Sequence, residues 1–367
     1  MDNWKVGDAI DHAVHGRGTI TFVGTDYVGV RFDDGRDAML RTGALHAAGA
    51  DSATAQPADD PQAPAATEWP ENTFVADQAA ERHSMGSHWK PFAEDAGHIF
   101  TRLPEWLPQM DLFRVYGDFF KPRRALPEDW PTGLALCWPD VHGGVVTVLR
   151  QGAEANELVS LFPYHERGIQ VRLAVDVVHV WEGGLEAQVE ASWGEAPIAF
   201  YDVGFVSNRG WYEAGQACEF ILLGIAYSAG TPKVMSLPFN PHPDQARWLA
   251  AIGAEEGESS VAPPQELDLS GMAMLVPVLE WDRDDYQFRG TVKEVQELAD
   301  VLGQQAWRLV VTVMRLGEEN DEDADLAILV TRRAWRDETP PVPGMAVDGT
   351  LWLQGRLWQP ERGRTGR

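Results

Sequence analysis

The sequence predicts a mainly β protein, built as a small N-terminal barrel, a flexible linker and two further β-rich domains. Three observations predict this: short runs of alternating apolar and polar residues, glycine turns between them, and two linker-like stretches that divide the chain. The 367 residues exceed the size of a usual single core. An apolar fraction of 44% with 15 Trp and 14 Phe supplies enough side chains for packed cores.

The first predicted domain, residues 1–46, consists of four short β-runs separated by glycine turns. The runs are Ala9–His12, Thr19–Val23, Tyr27–Phe32 and Asp37–Leu40. The turn Asp33-Asp34-Gly35 carries the Asp-Gly pair that is typical of tight hairpins. Strands this short, joined in this way, predict a small and strongly curved antiparallel barrel.

The motifs of this barrel resemble those of a known class of modules. Val6-Gly7-Asp8 is followed by the pattern H-x-x-H-G-x-G-T-I from His12 and by V-x-V-x-F-D-D-G from Val28. This order resembles the SH3-like (Tudor-like) modules of bacterial DNA helicases and of transcription regulators that hold RNA polymerase. The resemblance implies a binding module without a catalytic role. The expected partner-contacting residues are Arg17, Tyr27, Arg31 and Arg36.

Residues 47–70 separate this barrel from the rest and are rich in Ala, Pro, Asp, Ser and Thr, without apolar periodicity. Such a composition buries too little apolar surface to become ordered, which predicts a flexible linker. A tethered barrel can reach a partner while the rest of the chain is anchored elsewhere.

Residues 71–253 form the second predicted domain, an aromatic-rich central β domain. Its first part is punctuated by prolines, and clear alternation begins after Gly144. Period-two alternation over residues 185–191 places one face of that strand in a core. The predicted strands are Val145–Leu149, Ile169–Val175, Val177–Trp181, Leu185–Ala191, Pro197–Phe205 and Cys218–Tyr227. A short helix is expected over Asp244–Ile252.

Residues 254–267 read as a second linker, and residues 268–360 as a C-terminal domain that resembles an OB-fold at the level of element order. Its predicted strands are Met272–Trp281, Tyr286–Val295, Trp307–Arg315, Asp325–Thr331 and Val347–Leu357. Val292–Leu302 is expected to be partly helical. The two β-series share a strand rhythm but no residue-level repeat, so the sequence does not decide whether they are duplicates.

A polar cluster between aromatic residues marks a candidate site in the central domain. Asp202, Asn208 and Arg209 could contact a ligand or a peptide, or form the site of an enzyme. The alternative is that Asp202 and Asn208 order a turn through side-chain hydrogen bonds to the backbone.

A second candidate surface lies in the C-terminal domain. Trp307 and Trp352 are predicted to belong to the core; the alternative for Trp352, which shares its strand face with Gln354, is a ring at the surface. Arg333, Trp335 and Arg336 lie in a polar stretch and are expected to contact a partner. Aromatic and basic residues together are also what single-stranded nucleic-acid platforms use. The set considered for that alternative is Tyr286, Phe288, Trp307, Arg308, Arg332, Arg333, Trp335 and Arg336.

The sequence predicts neither a metal site nor a cofactor. The pairs His12/His15 and His83/His88 lack zinc spacing, and the acidic run 318–325 lacks the glycine of a calcium loop. The common nucleotide-binding and hydrolase motifs are absent, which lowers the expectation of an enzyme without excluding one. Cys137 and Cys218 read as two buried thiols of a cytoplasmic protein.

The charge distribution bounds the partners. The net charge is −26, which opposes phosphate at long range and argues against tight binding to duplex DNA. No apolar run approaches the roughly 18 residues that a membrane span needs. The sequence therefore favours a cytoplasmic, non-catalytic interaction or scaffold protein of a larger complex, linked to DNA or transcription through the resemblance of residues 1–46. The alternatives are a single-stranded nucleic-acid binder and an enzyme with its site near Asp202–Trp211.

Overall fold

The computed structural model describes residues 5, 7–12, 16–23, 27–33, 37–41, 46–47, 73–77, 87–113, 130–140, 142–238, 266–317 and 322–358. The fold is mainly β, with 59% strand and 8% helix, which confirms the predicted fold class. In the described part of the chain, no helix is long and apolar enough to cross a membrane. The linker residues 48–70 and the predicted helix Asp244–Ile252 lie outside the described residues.

The N-terminal region forms one five-stranded antiparallel sheet. Its strands are β1 (Ala9–His12), β2 (Gly16–Val23), β3 (Tyr27–Phe32), β4 (Asp37–Arg41) and β5 (His46–Ala47). They are ordered β4-β3-β2-β1-β5, and each of the four predicted β-runs lies in one of these strands. Ile10, Ile20 and Val30 are buried, so the alternation of the sequence gives this small sheet its own apolar face.

The next elements form a cover layer, consisting of a helix and a second antiparallel sheet. After β6 (Phe74–Asp77) and a 3-10 turn at Ser87–Trp89 comes helix α1 (Gly97–Trp106). The sheet has the order β10-β9-β8-β7. Its strands are β7 (Asp111–Leu112), β8 (Gly133–Asp140), β9 (Gly143–Arg150) and β10 (Glu157–His165).

Together with β6, which pairs with the strand β11 (Ile169–Trp181), the remaining elements build a ten-stranded sheet and a small separate hairpin. The first four strands are β11 (Ile169–Trp181), β12 (Ala187–Trp193), β13 (Ala196–Asp202) and, after helix α2 (Phe205–Asn208), β14 (Ala217–Gly230). The hairpin pairs β15 (Ser236–Pro238) with β16 (Glu266–Asp268). The last strands are β17 (Met274–Pro277), β18 (Asp285–Val301), β19 (Gln304–Leu316), β20 (Glu322–Thr331) and β21 (Ala346–Trp358).

The ten-stranded sheet closes into two five-stranded rings that share β14 and β21. One ring is β11-β12-β13-β21-β14 and the other is β18-β19-β20-β14-β21. We call β11–β14 one unit and β18–β21 the other. In each ring the third strand of one unit runs parallel to the strand that the other unit supplies, β13 to β21 and β20 to β14. All other neighbouring strands within the rings are antiparallel. Each ring thus has an OB-like layout, with its last strand supplied by the other unit.

The two units repeat one topology down to the register of their strands. A bulge follows Val175 where β11 pairs with β12, and a bulge follows Val292 where β18 pairs with β19. In the parallel pair of β13 with β21, Tyr201 lies beside Gln354. In the parallel pair of β20 with β14, Leu329 lies beside Ile225 at the corresponding position. The central and C-terminal regions, predicted as separate domains joined at 254–267, therefore form one continuous sheet. The helix expected over Val292–Leu302 is wrong, because β18 continues to Val301.

Tight coiling of the barrel strands requires glycine at two positions. A Cβ atom on Gly349 of β21 would lie 1.9 Å from the carbonyl oxygen of Ser228, and one on Gly290 of β18 would lie 2.0 Å from that of Thr312. Only a residue without a side chain permits this approach of two backbones, as is common where strands bend sharply in small barrels.

The β14–β21 ribbon separates the two parts of the hydrophobic core. Residues on one face, such as Phe220 and Leu353, line the interiors of the rings. Residues on the other face, such as Leu223 and Trp352, pack against α1 and the four-stranded sheet. The cover layer therefore buries the outer side of both barrels where they join.

Candidate interaction site

The residues predicted to bind a partner in the N-terminal sheet are partly visible. Arg17 of β2 and Arg31 of β3 are both exposed. Arg31 pairs with Thr19, two residues along β2 from Arg17, so both side chains lie on the same face. Tyr27 begins β3, but its side chain lies outside the described residues, as does the whole of Arg36.

The Asp202 cluster is buried and serves the fold. The Asp202 carboxylate accepts hydrogen bonds from the backbone N–H of Gly204 at 2.9 Å, from the Asn208 amide at 3.1 Å and from the Tyr212 hydroxyl at 2.5 Å. Its burial raises the pKa of the Asp202 carboxyl to about 6, against the opposing effect of these hydrogen bonds. The side-chain-ordered turn between β13 and α2 is therefore the correct interpretation.

Arg209 is also buried and ties two loops to this turn. Its guanidinium donates hydrogen bonds to the carbonyl oxygens of Gly184 at 3.1 Å and Pro131 at 2.7 Å, and it lies over the Trp130 ring. Burial lowers the pKa of Arg209 to about 10. The prediction that Asp202, Asn208 and Arg209 contact a partner is wrong, because all three are inaccessible to one.

The C-terminal prediction is correct for two tryptophans and wrong for a third. Trp307 and Trp352 are buried as expected, but Trp335 is also buried and its ring centroid lies 6.2 Å from that of Trp307. The reason is a tight turn, in which the amides of Ala334 and Trp335 both donate to the carbonyl oxygen of Thr331. This turn directs the indole inward, and its Nε1 donates to the carbonyl oxygen of Thr339 at 2.8 Å.

The two neighbouring arginines stay on the surface but are used within the fold. Arg333 donates to the carbonyl oxygen of Lys90 at 2.9 Å. Arg336 bonds to the carbonyl oxygens of Gly230 and Asp348 and pairs with the Asp348 carboxylate. Both side chains therefore form hydrogen bonds to neighbouring strands and loops of the same chain.

The rings considered for single-stranded nucleic acid are not at the surface. Tyr286, Phe288, Trp307 and Trp335 are all in the barrel core. The outer face of β19 and β20 is covered as well, since Ala306, Ala327 and Leu329 pack in the core beneath α1. A base could not stack on these rings without unfolding the barrel.

A surface site that the sequence analysis missed lies at the turn between β17 and β18. Leu279 is 94% exposed and Trp281 is 51% exposed. The turn is held by the backbone N–H of Trp281, which donates to the carbonyl oxygen of Val278, and by that of Val278, which donates to the carbonyl oxygen of Asp285, both at 2.9 Å. Two large apolar side chains are thus presented by a fixed backbone.

A buried polar network supports this turn from below. The Tyr227 hydroxyl donates to Asp285 at 2.7 Å, and it also lies 2.7 Å from Nδ1 of His88. The His88 ring stacks on Trp352 with centroids 3.8 Å apart, and the Trp352 indole donates to Asp284 at 3.0 Å. The Trp281 ring meets the Tyr227 ring edge-on, which connects the exposed indole to the network.

Three carboxylates converge at the base of the turn. Oxygens of Asp282, Asp284 and Asp285 all lie within 4.8 Å of one another. Burial, and then the charges of Asp284 and Asp282, raise the pKa of the Asp285 carboxyl to about 7. Burial, and then the charge of Asp285, hold the pKa of the Tyr227 hydroxyl well above its usual value. These three carboxylates are the described residues that could hold a hard cation such as Ca²⁺.

The sequence contained a weak signal for this turn. Pro277 interrupts the apolar stretch that was predicted as one strand over Met272–Trp281, and the run Asp282-Arg283-Asp284-Asp285 follows it directly. Proline and clustered aspartates favour a turn. The structure ends β17 at Pro277 accordingly.

No protein-family model matches the chain, and neither do curated proteins or solved structures.

Proposed function

We propose that the chain is a non-catalytic interaction protein, recruited to a larger complex in the cytoplasm. The observation that carries this proposal is the presentation of Leu279 and Trp281 on a turn whose base is buried and hydrogen-bonded. Exposed apolar side chains on a fixed backbone are typical of protein interfaces, where Trp often contributes much of the binding energy.

The N-terminal sheet supplies a second proposed contact. Arg17 and Arg31 on one face of this sheet agree with the binding role that its SH3-like resemblance implies. The link to DNA or transcription rests on that resemblance alone. Cys137 and Cys218 are both buried, as expected of thiols that pack in a core.

The test is affinity capture from cell extract with the full-length chain and three variants. Arg17→Glu/Arg31→Glu alters the N-terminal sheet, Leu279→Ser/Trp281→Ser alters the turn, and Val342→Ser changes another exposed apolar residue as a control. We expect a specific partner to be retained by the wild type and by the control and to be lost from at least one other variant. Identical capture by all four proteins would contradict the proposal.

We expect the full-length protein to bind random duplex DNA only weakly at physiological salt. A net charge of −26 opposes phosphate, so few counterions are released on binding. A salt titration of binding to random duplex measures this. Submicromolar affinity that falls steeply with rising salt would contradict this expectation, because it would require a basic surface that contacts phosphate. It would favour the alternative that the protein binds nucleic acid.

A further inference from the structure

An apolar surface lies at the outer edge of the large sheet, around β17. Seven of the ten large apolar side chains that are exposed among the described residues come from two short segments. We call these seven residues the edge patch: Val234, Met235, Leu237, Met272, Val276, Leu279 and Trp281. Apolar side chains concentrated in this way indicate a binding surface, whereas scattered ones do not.

Arg289 of β18 joins the two segments into one surface. Its guanidinium donates to the carbonyl oxygen of Val234 at 2.9 Å and approaches the Met235 sulfur at 3.6 Å. On β18, Arg289 pairs with Met274 of β17. Arg289 therefore contacts the first segment through its side chain and the second through strand pairing, so the two segments meet at this residue.

The backbone at this edge can accept another strand. In the described part of the chain, β17 pairs with β18 alone and is the last strand of the ten-stranded sheet. Val278 donates to Asp285 across the pair, so Leu275 and Pro277 direct their backbone groups to the open side of β17. Leu275 offers an N–H and a C=O, and Pro277 offers a C=O alone. An extended peptide can pair with these groups, while its alternate side chains contact the neighbouring surface.

The charges around the edge patch select the partner. The acidic side chains are Glu266, Asp268, Glu280 and Asp282. The basic ones are Lys233, Arg283 and Arg289; Arg283 already pairs with Glu190 at 2.8 Å, and Arg289 is buried against Val234. A second copy of this chain would bring the same acidic rim and be repelled, whereas a basic segment would be complementary.

We infer that the edge patch binds an extended, basic and apolar segment of a protein partner, which adds to β17 as a further strand. Its apolar side chains contact Leu279 and Trp281, and its Lys or Arg side chains reach Glu280 and Asp268. The inference rests on the proposed interaction function and names the chemistry of the partner.

The probe is a fluorescein-labelled ten-residue peptide that alternates Lys and Val, titrated with the full-length protein and followed by fluorescence anisotropy. Three peptides serve as comparisons: one with Glu in place of Lys, one with Ser in place of Val, and one with its four central amides N-methylated. We expect each to bind at least tenfold more weakly, because they lack the charge, the apolar contact and the strand pairing respectively. Binding of the Lys–Val peptide should also weaken in 0.5 M salt.

Variants of exposed residues locate the site without unfolding the chain. Leu279→Ser and Glu280→Lys should each weaken binding of the Lys–Val peptide at least tenfold. Val342→Ser and Glu154→Lys are the matched controls, since both positions are exposed outside the edge patch, and they should bind as the wild type does.

Besides failure of the Lys–Val peptide to bind, four results would overturn the inference. The first is equal binding of the Lys–Val and Glu–Val peptides, and the second is equal binding by Leu279→Ser and the wild type. The third is a concentration-dependent dimer in sedimentation that Leu279→Ser abolishes, which would make a second copy the occupant. The fourth uses a variant in which an Asn-Gly turn replaces residues 239–265 and joins the paired Pro238 and Glu266. If the Lys–Val peptide bound only to this variant, residues 239–265 would be the occupant of the edge patch. If the peptide fails while partner capture still depends on Arg17 and Arg31, this inference fails and the proposed function stands.

Discussion

Replacing Trp335 by alanine is expected to lower the free energy of unfolding by about 3–5 kcal/mol, as much as the same change at Trp307. Both indoles are 4% exposed and lie in the barrel core, with their ring centroids 6.2 Å apart. Truncation removes apolar burial, leaves a cavity and deprives the Thr339 carbonyl oxygen of its indole donor. Denaturant unfolding of the two variants measures the loss.

The exposed neighbour Glu338 provides the control for this experiment. Glu338→Ala should stay within about 0.5 kcal/mol of the wild type, as surface substitutions usually do. If Trp335→Ala behaved like the control while Trp307→Ala was strongly destabilised, the indole of Trp335 would be outside the core and available to a partner, as the sequence alone suggested.

Trp335 and Trp281 show why the candidate site could not be predicted from the sequence. Trp335 stands among charged residues and was expected to contact a partner, whereas Trp281 ends an apolar run that was predicted as a strand. In the structure Trp335 is buried and Trp281 is half exposed. The neighbouring residues in the sequence show whether a segment is polar. The direction of a side chain depends on the geometry of its turn, and that geometry is fixed by the pairing of strands that are distant in the sequence.

The strands themselves were largely predictable, because a buried face imposes a two-residue period. The failure over Val292–Leu302 has a specific cause. Val292, Val295, Leu298 and Val301 recur every three residues, which is typical of a helix. In β18 the pairing with β19 is shifted after Val292 and again after Leu298, and these irregularities change which side chains share a face. Tertiary pairing thus overrode the local signal.

For a related reason, the sequence could not predict that the two barrels share β14 and β21. Leu223 pairs with Gln354 across a large separation in sequence, and neither strand carries a residue-level repeat that would reveal its partner. The second linker suggested a domain boundary, because composition shows where the chain leaves the sheet. It does not show that the chain returns to the same sheet.

The second large effect is expected from Asp285→Asn, which should raise stability at pH 8 and leave it little changed at pH 4. In the folded protein the pKa of Asp285 is raised to about 7, first by burial and then by the charges of Asp284 and Asp282. A carboxyl with a raised pKa contributes stability that is fully present below its unfolded pKa of about 4 and is lost as the pH rises through about 7. Asparagine does not ionise, so the variant avoids this loss.

The geometry makes this substitution mild at low pH. The side-chain oxygen of asparagine can still accept the hydrogen bond that the Tyr227 hydroxyl donates to Asp285 at 2.7 Å. A shift of about three pKa units at about 1.4 kcal/mol each gives a gain on the order of 4 kcal/mol at pH 8. Denaturant unfolding of variant and wild type at pH 4, 6 and 8 measures the difference, and subtraction removes the titration of groups that do not interact with Asp285, including Asp202.

Asp268 supplies a control of opposite sign. Hydrogen bonds from the backbone N–H and hydroxyl of Ser270 lower the pKa of this exposed carboxyl, so its contribution to stability is present above its unfolded pKa and is lost as the pH falls. Asp268→Asn should therefore destabilise the protein at pH 8 relative to pH 4, whereas Asp285→Asn does the reverse. Parallel stability profiles for Asp285→Asn and the wild type would mean that Asp285 titrates in the folded protein as it does in the unfolded chain. The three carboxylates beneath Trp281 would then be solvated, and the turn that presents Leu279 and Trp281 would lack the buried base described above.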